Sequence, residues 1–353
     1  MSSKDLILPL VLVAASAWLA MVVLIKLAPR LHLVDHPGGR KHHAQGTPVV
    51  GGLAVFLSLW PLAFAYDLDS LWVSAWGLGS LMLMLLGWLD DISELNPTWR
   101  LLLHVLAGSF MLPPGLVLEQ LGDLIGLGPV LLAGMAIPVT LFAVASAINA
   151  MNMIDGIDGA LGMVSLPALG IMAWLAFSAD LPLETLIALS LSVALAIFLV
   201  FNFRFPWVSH ARAFMGDAGS TLLGFNLAFL AISLAVKGAM PPVLALYLLA
   251  LPLLDTAGVI LRRRLRGVSA ATPGRDHLHH ILLDAGFSVR TAASIMGALS
   301  VLLGAGAVLA YQLGLPEWVL FMGFFMLLTV YLRSFRSVQS AVGILQRLSR
   351  ASD

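Results

Sequence analysis

Long apolar runs dominate this sequence and leave few ways for it to fold. Stretches of about 17–25 residues, enough to cross a bilayer as a helix, lie near 6–28, 46–66, 71–89, 101–118, 128–148, 160–177, 185–203, 220–236, 241–260, 292–312 and 316–334. With 60% hydrophobic and 11% charged residues among 353, the chain carries more apolar material than one water-facing core needs. The expectation is an all-α integral membrane protein, a polytopic bundle of about eleven transmembrane helices, forming one catalytic domain over 1–353. The first run is led only by Lys4 and followed by Lys26 and Arg30, so it reads as a membrane helix rather than a cleaved signal peptide.

The zero net charge hides a strong segregation. Basic residues favour the cytoplasmic side because loops rich in Lys and Arg resist translocation. When the connections between runs alternate sides, only Lys4 and Lys237 of the 19 Lys and Arg fall opposite the rest. This predicts an N-terminus outside and a C-terminus in the cytoplasm, which an odd number of spans requires. The external connections are short. The internal ones hold nearly every group capable of chemistry: Asp35, His36, Arg40, Lys41, His42 and His43; Asp90, Asp91 and Glu94; Asn149, Asn152, Asp155 and Asp158; Asn202, Arg204 and Asp217; and a cytoplasmic segment, 261–291, with His277, His279 and His280. The absence of cysteine excludes disulfides, a thiolate zinc site and a cysteine nucleophile. No Gly-x-x-x-x-Gly-Lys loop supports an ATP-driven pump, and nothing suggests a nucleic-acid partner.

Each internal motif has a functional and a plainer reading. Asp90-Asp91 ends the third run, where two adjacent anions oppose the helix macrodipole and repel each other. A hard divalent cation, Mg²⁺ or alternatively Mn²⁺, would offset that cost; taken alone, the pair also reads as a solvated loop. In Asn149-Ala-Met-Asn-Met-Ile-Asp-Gly-Ile-Asp-Gly159, Asp155 and Asp158 are spaced to share one face of a helical turn. Capping of the next helix explains one of these aspartates but not two with two asparagines. Phe214-Met-Gly216-Asp217-Ala-Gly-Ser-Thr opens another run, where N–H groups at a helix start can hold phosphate; Asp217 alone also reads as an ordinary cap. Asp255 sits inside a span, which marks it as functional by position unless it reaches the arginines two turns on. The Arg40-Lys41-His42-His43 patch suits a lipid phosphate or serves as a topology signal, and Arg262, Arg263, Arg264 and Arg266 read as topology, outside the site. His277, His279 and His280 are three of nine histidines within four residues. They lack the i,i+4 spacing of a helical zinc site, so imidazole contacts to a diphosphate or sugar fit better than zinc, with a histidine-rich surface loop as the alternative.

Acids for a metal, cations for phosphates and an apolar span surface beside them are the equipment for phosphoryl transfer between a soluble nucleotide and a lipid. The same residues carry a resemblance that runs nearly end to end: Asp35-x-Pro-x-x-Arg40-Lys41-x-His43, Gly51-Gly52, Asp90-Asp91, Asn152-x-x-Asp155-Gly-x-Asp158-Gly, Phe214-Met-Gly-Asp217-x-Gly-Ser, and Arg275-Asp-His277-Leu-His279-His280 with Gly286-Phe287 beyond. In this order and spacing the chain resembles the polyprenyl-phosphate N-acetylhexosamine-1-phosphate transferases. The His-x-His-His pattern followed by Ile281-Leu282-Leu283 is similar to the WecA-type branch, which generally uses UDP-GlcNAc and undecaprenyl phosphate. It departs from the peptidoglycan branch, whose three consecutive histidines precede an aromatic residue and a glutamate.

The resemblance implies a Mg-dependent phosphoglycosyltransferase of the bacterial inner membrane. It would pass a HexNAc-1-phosphate from a UDP-sugar to undecaprenyl phosphate, release UMP and initiate a cell-envelope polysaccharide such as O-antigen. By the same implication Asp91 and Asp217 hold the metal and Asp90 deprotonates or positions the lipid phosphate. Asn152, Asp155 and Phe214 contact the nucleotide, Asp158 and Gly216 belong to the substrate-binding residues, His277, His279 and His280 meet diphosphate and sugar, and Lys41 meets phosphate. A homodimer is compatible with the sequence. The rival reading is a secondary transporter of an anionic or nucleotide-sugar substrate, since polytopic chains with buried charges are usually carriers; repeated halves and midplane charges would favour it.

Overall fold

The computed structural model describes residues 3–35, 46–65, 70–93, 95–269, 274–335, 339, 341–343 and 345–346. Lipid offers no partner to a backbone amide, so apolar spans close their hydrogen bonds internally as helices. The described residues form α1 (Ser3–Leu27), α2 (Gly51–Ser58), α3 (Trp60–Ala65), α4 (Leu71–Ser93), α5 (Pro97–Ser109), α6 (Ala136–Ile154), α7 (Ala160–Ser178), α8 (Pro182–Asn202), α9 (Gly216–Val236), α10 (Pro242–Leu248), α11 (Ala250–Leu265), α12 (Leu278–Asp284), α13 (Val289–Gln312) and α14 (Glu317–Ser334). The one sheet among them is a short antiparallel pair, β1 (Val34–Asp35) and β2 (Thr47–Pro48), with Val34 opposite Pro48 and Asp35 opposite Thr47.

The fold is therefore all-α and of membrane type, with a smaller count of long spans than the sequence predicts. Among the described residues eight helices are long and apolar enough to cross a membrane, or nine if α10 and α11, bent by 78° at their junction, make one span. The differences fall at 46–66 and 101–118. The first is a shorter apolar helix, Gly51–Leu62, broken near Leu59. In the second, α5 stops at Ser109, and the positive φ of Gly115, Gly122, Gly126 and Gly128 turns the chain irregularly up to α6. Local chemistry fixes the start of α5, where Asn96 accepts the Thr98 N–H at 2.9 Å and Pro97 takes the first turn.

Helix α9 is the hub, buried continuously from Ala218 to Leu234. Because lipid is as apolar as leucine, helices in a membrane associate through close packing of small residues and interhelical hydrogen bonds. Both are present here. A Cβ on Gly52 of α2 would lie 2.3 Å from the Gly219 nitrogen, one on Gly87 of α4 2.2 Å from the Ala218 Cα, and one on Gly224 of α9 2.6 Å from the Ile148 Cα of α6. Three polar rungs join α4 to α9: Trp72 Nε1–H to Ser233 Oγ (3.0 Å), Trp76 Nε1–H to Asn226 Oδ1 (2.6 Å) and Asn226 Nδ2–H to Ser80 Oγ (3.3 Å).

At the far end of the bundle Glu184 of α8, 1% exposed, accepts from Ser233 Oγ and from Lys237 Nζ, whose ammonium also lies over the Trp72 ring. Removing that carboxylate strands two donors. Glu184→Ala should cost about 1–3 kcal/mol, read as a lower melting temperature in detergent, with turnover per folded molecule unchanged.

Candidate active site

The close contacts of α2, α4 and α6 with α9 bring the ends of these helices together, and with them three of the sequence motifs. Asp90, 6% exposed, accepts the Leu95 N–H at 2.7 Å and faces Arg100 Nε at 2.9 Å. Asp91 accepts the N–H of Asp217 at 2.9 Å and that of Ala218 at 3.4 Å. The amides that the sequence offered to a phosphate at the start of α9 are thus engaged by Asp91. Gly216, at φ +78°, is required beside this carboxylate, since a Cβ there would meet Asp91 Oδ2 at 2.7 Å. Asn152, in the last turn of α6, donates to Asp217 Oδ1 at 2.7 Å and to Ser220 Oγ at 2.8 Å.

Sequence reasoning missed Arg100. Its Nη2 donates to Asn152 Oδ1 at 2.8 Å, its Nη1 lies 3.7 Å from Asp217 Oδ2 and its Nε holds Asp90. One guanidinium therefore ties the acid pair to both other motifs. The available signal was its place on the first turn of the helix that follows Asp90-Asp91, but it was read only as a topology charge.

The turn after α6 departs from expectation. Asp155 has ψ +53° and ends the helix, and 155–159 is not helical, so Asp155 and Asp158 do not share a helical face. Asp158, 8% exposed, is committed to Arg204 at 2.6 Å. Asn202 holds the turn by accepting the Gly159 N–H at 2.6 Å and donating to the Ala213 carbonyl at 2.9 Å. Asp155 accepts no hydrogen bond among the described residues. Burial first, then the charges of Asp217, Asp91 and Asp158, push its carboxyl up to about 8. With a folded value above the ordinary 3.8, stability is fully present below about pH 4 and is lost as pH rises toward 8. Asp155→Asn should therefore raise the melting temperature of metal-stripped protein at pH 8 but not at pH 4, and added Mg²⁺ should narrow the difference.

Other loops reach the same place. His279 Nε2 lies only 2.0 Å from where a Cβ on Gly156 would stand, so the histidine segment touches the Asp155 turn. Half-buried Phe214 is bridged to Val49: its N–H donates to the Pro48 carbonyl at 2.8 Å and its carbonyl accepts the Gly51 N–H at 2.9 Å. Lys41, like His36, Arg40, His42 and His43, lies outside the described residues, in the connection that β1 and β2 flank.

The arginine cluster read as topology instead holds the histidine segment. Arg263, 6% exposed, grips the Asp276 carboxylate through Nη2 at 2.7 Å and Nε at 3.2 Å, and Arg262, 4% exposed, donates to the Asp276 carbonyl. Burial pushes the Asp276 carboxyl up, but the hydrogen bond and charge of Arg263 hold it below the ordinary value. Asp255 does not reach these arginines; it accepts from His277 Nδ1 at 2.8 Å. The His277 and His279 rings stack at 5.5 Å and 6°. Burial, then the neighbouring His280, brings His279 down to about 3, and burial followed by Arg275 lowers His280, so both favour the neutral ring, each with one donor and one acceptor nitrogen. Among the described residues the Nδ1 atoms of both are buried without a partner.

Among the described residues no three His, Asp or Glu side chains surround one point. A self-sufficient zinc cage is not formed there. The oxygen donors of Asp91 and Asp217, close enough to feel each other's charge, instead match what Mg²⁺ takes, one or two carboxylates completed by water and substrate phosphate. Further along α6 opens an apolar cavity of about 310 Å³, lined by Ser146, Phe142, Ala231, Leu246, Leu253 and Phe321 among others. On α9 its lining begins at Ala228, eleven residues beyond Asp217 and about 16 Å along the helix axis, and it runs on to Pro242 and Val243 at the far end.

Known proteins are similar to this chain along most of its length. The model of glycosyl transferase family 4 matches residues 73–235. An undecaprenyl-phosphate alpha-N-acetylglucosaminyl 1-phosphate transferase of Yersinia pestis is 32% identical over 350 residues, covering 93% of this chain and 92% of its own. The protein of the same name from Haemophilus influenzae is 32% identical and covers 95% of both chains. That of Escherichia coli K12 is 31% identical, covering 92% of this chain and 89% of its own. With its acid pair, Asn152 and Asp217 assembled on the α9 hub, the chain belongs to the membrane-embedded glycosyl transferase family 4, the family of these undecaprenyl-phosphate N-acetylglucosaminyl 1-phosphate transferases.

Proposed function

We propose that this protein transfers GlcNAc-1-phosphate, or a related HexNAc-1-phosphate, from a UDP-sugar to undecaprenyl phosphate and releases UMP. The observation that carries this reading is the meeting of Asp90, Asp91, Asn152 and Asp217 around Arg100 at one end of the bundle. Relatives named for the same transfer, aligned almost end to end, support it.

An oxygen of the lipid phosphate attacks the sugar-bearing phosphorus, the bond from that phosphorus to the bridging oxygen breaks, and UMP leaves with the electron pair. Asp91 and Asp217 would hold Mg²⁺, which when bound neutralises charge developing on the diphosphate. Asp90, held by Arg100 and the Leu95 N–H, orients or deprotonates the lipid phosphate. Phe214, Asn152 and Asp155 face the nucleotide, the neutral rings of His279 and His280 contribute hydrogen bonds to the sugar diphosphate, and Lys41 adds a cation for phosphate.

The site faces the cytoplasm of a bacterial inner membrane in this reading, and the path of the chain supports all eleven crossings. α4 and α6 both run toward the carboxylates, so α5 and the segment after it must return across the bundle. α2 starts beside Gly219 and α4 starts at the far end, so α2 and α3 must do the same. Lys237 and Glu184 mark the external end.

The test is release of UMP from UDP-GlcNAc by purified protein in detergent with undecaprenyl phosphate and Mg²⁺, against reactions lacking lipid or metal. Lipid-dependent UMP is expected. Uptake of UDP-GlcNAc into vesicles with no UMP formed would favour the carrier reading, which the clustering of ionisable groups at helix ends disfavours.

A further inference from the structure

Among the described residues the one carboxylate well inside a span is Asp255 of α11, 1% exposed. A buried carboxylate is costly unless its oxygens are satisfied, and here they are met by an unusual set. Oδ1 accepts both the Leu278 N–H and the Tyr331 hydroxyl, each at 2.8 Å, and Oδ2 faces His277 Nδ1 at 2.8 Å. The two buried arginines nearby are used elsewhere, Arg263 on the Asp276 carboxylate and Arg262 on the carbonyls of Asp276 and Phe335. Asp255 is thus not the counter-ion of the arginine cluster. Its partners are a histidine of the active-site segment and a tyrosine from the last turns of α14.

We infer that Asp255 and Tyr331 form a positioning couple for His277, fixing its ring so that Nδ1 carries the proton and Nε2 faces the sugar diphosphate. This inference rests on the transferase reading. A carboxylate at Nδ1 selects the tautomer of an imidazole and sets its orientation, as orienting carboxylates do for histidines in reactive sites. Nε2 of His277 makes no hydrogen bond among the described residues and is not one of the buried, unpartnered nitrogens, so it reaches accessible space. The ring stacks face to face on His279, whose own Nε2 presses on Gly156 beside Asp155, so the orientation set by Asp255 is passed to a second ring of the site. The Leu278 N–H on Oδ1 binds the carboxylate to the start of α12 as well as to the ring. Tyr331 completes the clamp. Its ring fits against Gly258, where a Cβ would stand 2.6 Å from Cε1, and its hydroxyl leaves Asp255 Oδ1 no freedom to rotate toward solvent. The last membrane helix, remote from every motif in sequence, thereby supports the active site from beneath.

The test is a double-mutant cycle on the full-length protein, with kcat and KM for UDP-GlcNAc and the melting temperature in detergent measured for each variant. Asp255→Asn should lower kcat on the order of 10–100-fold with little change in KM. Tyr331→Phe, which keeps the ring packing, should lower it roughly 2–10-fold. In the His277→Ala background both substitutions should become nearly silent, because a residue that acts through another has nothing left to act on. Losses that multiply in that background, or wild-type kcat in Tyr331→Phe together with Asp255→Asn, would overturn the inference. Should Asp255→Asn fail to fold, the Tyr331→Phe and His277→Ala pair decides alone. If the wild-type protein itself forms no UMP, the transferase reading has failed, a result distinct from any of these.

Discussion

Asp217→Asn is expected to lower UMP release by at least 10²–10³-fold, the order of effect seen when one electrostatic stabiliser of a transition state is removed, in a protein that still folds in detergent. The asparagine keeps the shape of the aspartate and one carbonyl oxygen, so it can still accept from Asn152 Nδ2, now at 2.7 Å. What it loses is the charge, and the side chain, 37% exposed, sits where solvent can hydrate the amide. Stability and turnover should therefore separate. Asp91→Asn should be as inactive but less stable, because Asp91 uses both oxygens on the Asp217 and Ala218 N–H groups and an amide offers only one acceptor. Two measurements check this: UMP release across a Mg²⁺ titration, and thermal melting of each variant. Metal-dependent turnover retained in both variants would refute their assignment as the metal-holding pair. Chelation of the wild-type protein should mimic the variants and be reversed by Mg²⁺.

What the sequence made legible was chemistry at segment ends. The acid pair, Asn152 and Asp217 were readable because charged groups next to long apolar runs have few structural excuses, and the runs themselves fix where such ends lie. Legibility stopped where the partner of a residue is set by packing. Arg100 and Arg262–Arg263 have the same composition as ordinary topology signals; only the fold shows that one bridges three motifs and the others grip Asp276. Asp158 looked equivalent to Asp155 on spacing, yet the turn at Gly159, with φ +84°, sends it to Arg204. The two shortened helices failed the length test for a related reason: apolarity alone marks a segment as membrane-embedded, whereas helix continuity depends on prolines, glycines and neighbours. Depth in a span marks Asp255 and histidine density marks His277, but a separation of 22 residues along the chain hides their bond.

The same dependence on packing makes Gly87 the position where a small change should matter most. It lies one turn before the acid pair on α4, and a Cβ there would stand 2.2 Å from the Ala218 Cα, 2.4 Å from its nitrogen and 2.8 Å from the Asp217 carbonyl carbon. All three are backbone atoms at the start of α9, so no rotamer change relieves the clash and the helices must separate. Separation draws Asp91 away from the two N–H groups it accepts and shifts Asp90 relative to Arg100. A displacement near 1 Å in a reacting constellation costs on the order of 10²-fold in rate, and forced overpacking costs about 1–3 kcal/mol. Gly87→Val should show both effects, a lower melting temperature and a turnover loss of that order. Gly77, on the same helix with nothing within 4 Å of a built Cβ, provides the control: Gly77→Ala should keep turnover and melt no lower than wild type, since alanine is the better helix former by about 1 kcal/mol. Wild-type turnover in Gly87→Val would mean that the α4–α9 contact does not set the distance between the acid pair and Asp217.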